Sequence, residues 1–349
     1  MEFNCLATAI SSLPFKDPVE ACDIVFKWLP NIPAWPQLPA RGFRENMYVQ
    51  LSQNLPGIKL DEEEKKISFD TGGDNNRALE LFYENVISEN TGYFSIGKDY
   101  AAGLYEFTGR LKTGKEMAAR IKYVKGHVTG PVSFGLTVTD LDRKAIFYNE
   151  QYRDVIVKNC AMKAKWQVKF LRKETGIKDV IIFIDEPYMT SFGSSFVSLS
   201  REEVINNINE VVEAIHTENA IAGIHCCGNT DWTVLFLTKT DIISFDAYNY
   251  IESIILYPEM LTKHFNEGRA LAWGIVPSSE EIKIEDKNTL LNKFKTGINS
   301  LIRKGLREET IMKNCLITPS CGVGTLDDES ARRVMKLNLE VSDALRGAV

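Results

Sequence analysis

No apolar run in this sequence approaches the roughly 20 residues needed to cross a bilayer, so no membrane span is expected. Basic residues do not dominate either. The chain has 41 Lys and Arg against 47 Asp and Glu, a net charge of −6, which gives no electrostatic footprint for nucleic acid or an anionic membrane. Its start, MEFNCLATAISSLP, has no basic region ahead of its apolar residues, so no secretory signal is expected. Seven cysteines is an odd number, and they lack the spacing of a small disulfide-stapled domain. They are expected to be reduced thiols in a cytoplasmic protein. Internal repeats and low-complexity segments are absent as well.

What the chain does contain is an alternation. Short apolar, β-branched runs (Cys5–Ile10, Ile32–Leu38, Tyr123–Thr129, Asp179–Asp185, Ile221–Cys226, Asp241–Ala247, Ala270–Val276, Asn314–Ser320) are separated by longer amphipathic stretches. Among those stretches are Pro18–Trp28, Glu150–Thr175, Arg201–Thr217, Thr289–Lys304 and Asp328–Leu345. Buried parallel strands read as apolar runs and helices show a 3.6-residue period, so eight such units predict a single (β/α)8 TIM barrel over residues 1–349. A minimal barrel needs about 250 residues. The surplus is expected as an insertion after the second strand, about residues 40–112, with a hairpin at Lys59–Asp70 and an extra helix at Gly92–Lys112. Pro33 and Pro36 suit the second strand to an edge or irregular segment.

Barrel active sites form at the carboxyl ends of the strands. Those ends carry Ser12, Thr129 with Gly130, Asp185 with Glu186, His225 with Cys227, Asp246, Pro277 with Ser278, and Cys321. In extended backbone, residues two apart share a face, so His225 and Cys227 can point at one atom while Cys226 points away. Imidazole and thiolate suit zinc, and Cys321 and Asp246 can complete a His, Cys, Asp, Cys set. The competing reading is core packing, because buried cysteine is usually a small hydrophobe. Cys5, Cys22, Cys160 and Cys315 are assigned to it. His216 and His264 are expected on the surface or as caps, and His127 as a core histidine or a substrate contact.

The motifs resemble one family. GIHCCGN is similar to the first zinc-ligand motif of cobalamin-independent methionine synthases, and TPSCGVGT to their last, Pro-Asp-Cys-Gly, with Ser320 in place of the acid. DIISFD resembles the segment supplying their carboxylate ligand. TAISSLP, VTGPVSF and FIDEP match three further motifs in the same order, so the resemblance runs from about Thr8 to Gly324. The nearest likeness is to short, single-domain core methionine synthases, in the barrel superfamily shared with uroporphyrinogen decarboxylase. The resemblance implies Zn2+ on His225, Cys227, Asp246 and Cys321. It implies homocysteine contacts from Ile10 and Ser12, and from Asp185 to the substrate ammonium. Glu186 is implied as a catalytic group or as an orienter of a zinc ligand.

Three departures qualify it. The family's carboxylate ligand is usually glutamate and lies further from the histidine, so Glu252 or a water can replace Asp246. A chain of this length has no room for the family's extra amino-terminal barrel. Where the family has an aspartate-x-His-Ser-Pro motif, this chain has Pro277 and Ser278 in AWGIVPSSE. That histidine is associated with proton delivery in methyl transfer from folate, which leaves a poor anion. A methylated corrinoid leaves as stable cob(I)alamin and needs no proton. The expected donor is therefore methylcobalamin or a methylated corrinoid protein. The corrinoid is expected free or on a partner, since the chain lacks a D-x-H-x-x-G cobalamin motif. Alternative readings are methyl transfer to another small thiol such as coenzyme M, a porphyrinogen-decarboxylase-like lyase using RGFR (Arg41–Arg44), and a non-catalytic zinc- or thiol-binding barrel. FRENMYVQLSQNLPG is expected to lead into the bowl, with no role assigned to Glu45, Asn46 or Tyr48.

Overall fold

The structure, a computed structural model, describes residues 1–192 and 199–347. Its strands are β1 (Leu6–Ala7), β2 (Ile58–Asp61), β3 (Lys66–Phe69), β4 (Val124–Thr129), β5 (Thr139–Asp140), β6 (Val180–Asp185), β7 (Ile221–Cys226), β8 (Ile242–Phe245), β9 (Ala270–Val276) and β10 (Cys315–Pro319). Seven of them form one parallel sheet in the order β1-β10-β9-β8-β7-β6-β4. The eighth place, between β4 and β1, belongs to the segment predicted as the second strand. Ala34 bridges Lys125 of β4, and Gln37 bridges Ser12 just beyond β1. The bonds Trp35 N to Lys125 O (3.1 Å), Lys125 N to Pro33 O (2.9 Å) and Gln37 N to Ser11 O (2.9 Å) close the wall. Pro33 and Pro36 have no N–H to donate, so a regular ladder cannot run there. Closure is by isolated bridges.

Local chemistry explains the helices that bracket these strands. Asp17 caps Pro18–Trp28, Asn149 caps Glu150–Thr175, and Ser200 caps Arg201–Thr217, each accepting from a backbone N–H of the first turn. Gly176, at φ 75°, ends the long second helix in the left-handed conformation that glycine adopts without strain. Inside the barrel, Phe3, Leu6, Ile10, Ile32, Ile181, Phe183, Ile242 and Leu316 form one apolar cluster, while a larger one fills the layer between strands and helices.

The insertion after the second strand holds the antiparallel hairpin β2–β3 and helices Asn76–Ile87 and Ala102–Thr113. The expected helix at Gly92–Lys112 is split, because Thr91–Phe94 makes a short 3-10 turn before Ala102. The hairpin is also not isolated: β5, from the loop after β4, adds a parallel strand to β3. His264 departs from expectation. It is buried, with Nε2 at 2.9 Å from Ala270 O. No described helix is long and apolar enough to cross a membrane.

Candidate metal and substrate site

Strand alternation turns His225 into the barrel and Cys226 outward, where Cys226 is fully buried in the outer core and its thiol meets Gly228 O. Cys227 follows β7, and Cys321 follows β10. One ligand atom from each of His225, Cys227 and Cys321 lies within 4.8 Å of the other two. Glycines permit the approach of the last loop. A Cβ on Gly322 would come 2.9 Å from Ser12 Cβ, and one on Gly324 would come 2.2 Å from Ser12 Oγ. TPSCGVGT and SSLP thus lie directly against each other, joined by Val323 N to Ser12 O at 2.9 Å.

The His225 ring is buried and held on one side only. Nδ1 stands 3.0 Å from Ser244 Oγ, its register partner's hydroxyl on β8, whereas Nε2 is buried without a hydrogen-bond partner. With Nδ1 protonated and bonded to Ser244, Nε2 keeps its lone pair for a metal. The two thiols are coupled. Hydrogen bonding with Cys321 and the nearby His225 draw the Cys227 thiol down against its burial, and the same bond with burial pushes the Cys321 thiol up. The pair shares a proton and carries one negative charge readily. Nothing in the sequence motifs marked Ser244; its only signal was a hydroxyl two residues before Asp246 within an otherwise apolar strand. Replacing it with alanine is expected to weaken zinc affinity about 10–100-fold, by analogy with other outer-shell partners of metal-bound histidine. Competition with a chromophoric chelator measures this. An unchanged affinity would mean that Ser244 does not fix the ring.

Asp246 lies nearby but outside the three-residue group. Its carboxylate caps helix Ala247–Ile254, accepting from Asn249 N at 2.9 Å and Asn249 Nδ2 at 2.8 Å, and burial raises its pKa. Glu252 is exposed on that same helix. Asp185 pairs in register with His225. Its Oδ1 is buried and unpartnered, and burial pushes the carboxyl up, opposed first by Lys125. Ile10 belongs to the inner apolar cluster, and Ser12 is half-buried above it.

Glu186 is fully buried, and both of its oxygens are engaged. It accepts from Val132 N (3.0 Å), Ser133 N (2.7 Å) and Ser133 Oγ (2.6 Å) at the start of helix Pro131–Thr137. Burial raises its pKa to about 7, with those bonds pulling the other way. None of them involves His225, Cys227 or Cys321. Two motif departures also meet: Ser278 Oγ is 2.8 Å from Ser320 Oγ, and Ser278 N donates to the same oxygen at 3.0 Å.

The insertion reaches the bowl through Tyr48, whose hydroxyl accepts from Thr137 Oγ1 at 3.1 Å and whose phenol is close enough to feel the charge of Cys227. Thr129 Oγ1 anchors the segment by donating to Met47 O at 2.8 Å. Asn46 caps the short turn Met47–Gln50. Glu45 is buried instead against Arg41 and Ala102 N.

No family model matches the sequence, and no curated protein does. Solved structures do match. One, from Listeria monocytogenes, is provisionally described as a vitamin-B12 independent methionine synthase; it is 12% identical, with 97% of each chain covered and a TM-score of 0.54. Another is a B12-independent methionine synthase from Shewanella sp. W3-18-1 in complex with selenomethionine, 15% identical, covering 69% of this chain and 67% of that one, with a TM-score of 0.46. The first likeness shows a shared α/β barrel fold over nearly the whole length.

Proposed function

We propose that this chain is a zinc-dependent methyltransferase, acting as a single catalytic barrel, which transfers a methyl group from a corrinoid donor to homocysteine and yields methionine. The observation that carries the reading is the convergence of His225, Cys227 and Cys321 at the carboxyl-end mouth of a parallel barrel. One imidazole and two sulfurs, with His225 Nε2 buried and unpartnered, fit zinc better than a hard cation such as magnesium. When bound, zinc would supply deprotonation of a coordinating thiol while leaving its sulfur nucleophilic.

The chain's own residues do the rest. Asp185 receives the acceptor's ammonium, and Ile10 and Ser12 contact the remainder of its amino-acid head. His225, Cys227 and Cys321 would hold the zinc with Asp246, whose oxygens also accept from Asn249, as the fourth protein ligand, and an exchangeable position would admit the acceptor thiol. Glu186 holds the end of β6 to helix Pro131–Thr137 beside the Asp185 carboxylate.

The donor follows from the end of β9. Pro277 and Ser278 stand there, and the Ser278 hydroxyl is bonded to Ser320, so no imidazole is supplied from that position to protonate a leaving group. A methyl–sulfur bond then forms as a methyl–cobalt bond breaks. The electron pair stays with the corrinoid, and the thiol proton passes to solvent. Methylcobalamin or a methylated corrinoid protein meets that requirement; methyltetrahydrofolate does not. Purified zinc-loaded protein is expected to form methionine from homocysteine and methylcobalamin, and none above background from methyltetrahydrofolate. Comparable product from both donors would overturn the choice of donor.

A further inference from the structure

Among the described residues the proposed function leaves two fully buried lysines unused, Lys163, whose Nζ donates to Phe94 O at 3.4 Å, and Lys125. Lys125 on β4 is 0% exposed, and its Nζ has no hydrogen-bond partner. An ammonium in that state is strongly destabilising unless something offsets it. The Nζ stands 4.0 Å over the ring of Phe183, which lies two residues before Asp185 on the same face of β6. Register places Lys125 opposite Ile181, and Thr129 opposite Asp185, so the lysine starts low in the barrel and lies along the inner face toward Asp185.

Burial lowers the Lys125 pKa to about 8 and raises that of Asp185; against it, Asp185 is the charged group that favours the Lys125 ammonium, and Lys125 the strongest charge favouring the Asp185 carboxylate. The carboxylate's Oδ1 is buried without a hydrogen-bond partner, as the ammonium is. His127, the next residue on that face of β4, offers no anion. It is buried, stacked on Trp35 with centroids 4.0 Å apart, and desolvation keeps it neutral. Two unbonded opposite charges therefore share the inner face of adjacent strands, one level with the metal-ligand group and one beneath it.

We infer that Lys125 is a positioning residue, the buried counter-charge that holds the Asp185 carboxylate at the floor of the bowl for the amino group of the acceptor. The amino-group part rests on the function proposed above; the charge pairing does not. A lysine within a buried apolar strand was visible in YVKGHVT, yet its spacing matches no motif.

Thermal melts test the pairing without any activity. Lys125→Met and Asp185→Asn are each expected to lower Tm, because each strands the other charge. The double variant is expected to melt above the less stable single, even if that single scarcely folds. A double variant at or below the less stable single overturns the inference.

Acceptor kinetics test the positioning. Lys125→Met is expected to raise KM for homocysteine about tenfold while kcat stays within about threefold. 4-Mercaptobutyrate, which keeps the thiol and carboxylate but lacks the amino group, is expected to be far less affected. Equal losses with both acceptors would reduce Lys125 to a support of the barrel and overturn the positioning role. Should wild-type protein methylate neither thiol, the function proposed above fails while the melts still decide the pairing.

Discussion

Cys321→Ala is expected to lose its zinc and, with it, methionine formation. Of the three residues that converge at the mouth, Cys321 is the one that comes from the far side of the barrel, on the loop after β10. His225 and Cys227 alone span two positions on one strand end, and two ligands do not enclose a tetrahedral metal. Loss of an outer partner already costs about 10–100-fold in affinity, so loss of a direct ligand is expected to exceed about 100-fold. Metal content after gel filtration should fall from about one ion per chain to a small fraction of that. Methionine formation should fall by at least about 100-fold with it. The shared proton gives the variant a second signature. Without Cys321, the Cys227 thiol loses the hydrogen bond that most lowers its pKa, and alkylation by iodoacetamide at neutral pH should be slower than in wild-type protein stripped of zinc. Retained zinc with lost activity would move Cys321 from metal binding to a contact with substrate.

The second large effect is expected at Gly130→Ala, which carries no reactive group. A Cβ there would lie 2.1 Å from Glu186 Oε1 and 2.2 Å from its Cδ, far inside contact distance. Neither neighbour can yield easily. Glu186 is fixed by three hydrogen bonds to the start of helix Pro131–Thr137, and Gly130 immediately precedes that helix. Relief therefore requires moving a buried carboxylate off its donors or displacing the end of β4. A cost of about 3 kcal/mol follows from overpacking alone. For a chain of this size that corresponds to a drop in Tm of roughly 4 °C. Because Glu186 adjoins Asp185, homocysteine KM should rise in the folded fraction as well. A variant within about 1 °C of wild type would show that the carboxylate relocates freely.

That contact also shows what was legible in the sequence. VTGP and DEP each stand out as motifs, and the acid in DEP reads as a catalytic or orienting group. What the sequence did not disclose is that Gly130 and Glu186 occupy one space. Alternation of apolar runs and helical periods fixed the strands well; Ile221–Cys226 and Ala270–Val276 match their observed bounds, as do three of the helices. Those signals are local. Side-chain partnerships across strands depend on register and on pleat, which periodicity does not specify. His225 and Cys227 could be related by their i, i+2 spacing, whereas Ser244 and Lys125 become meaningful only once β8 lies beside β7 and β4 beside β6. Asp246 illustrates the opposite limit. A carboxylate at a strand end reads as a ligand, and that reading does not disclose that the same residue also begins a helix, accepting from Asn249 three positions later as a cap.

The barrel's irregular closure has a mechanical consequence. Seven strands hold one another through continuous ladders, but Ile32–Leu38 is fastened on either side by isolated bridges. Opening free energy is lowest where backbone bonds are fewest, so this seam is the compliant part of an otherwise stiff ring. Met47 and Tyr48 are suspended a short distance beyond it, Met47 held by Thr129 and Tyr48 by Thr137. A bulky donor entering from that side would meet the section of wall that deforms at least cost, while the strands bearing His225, Asp185 and Cys321 keep their spacing.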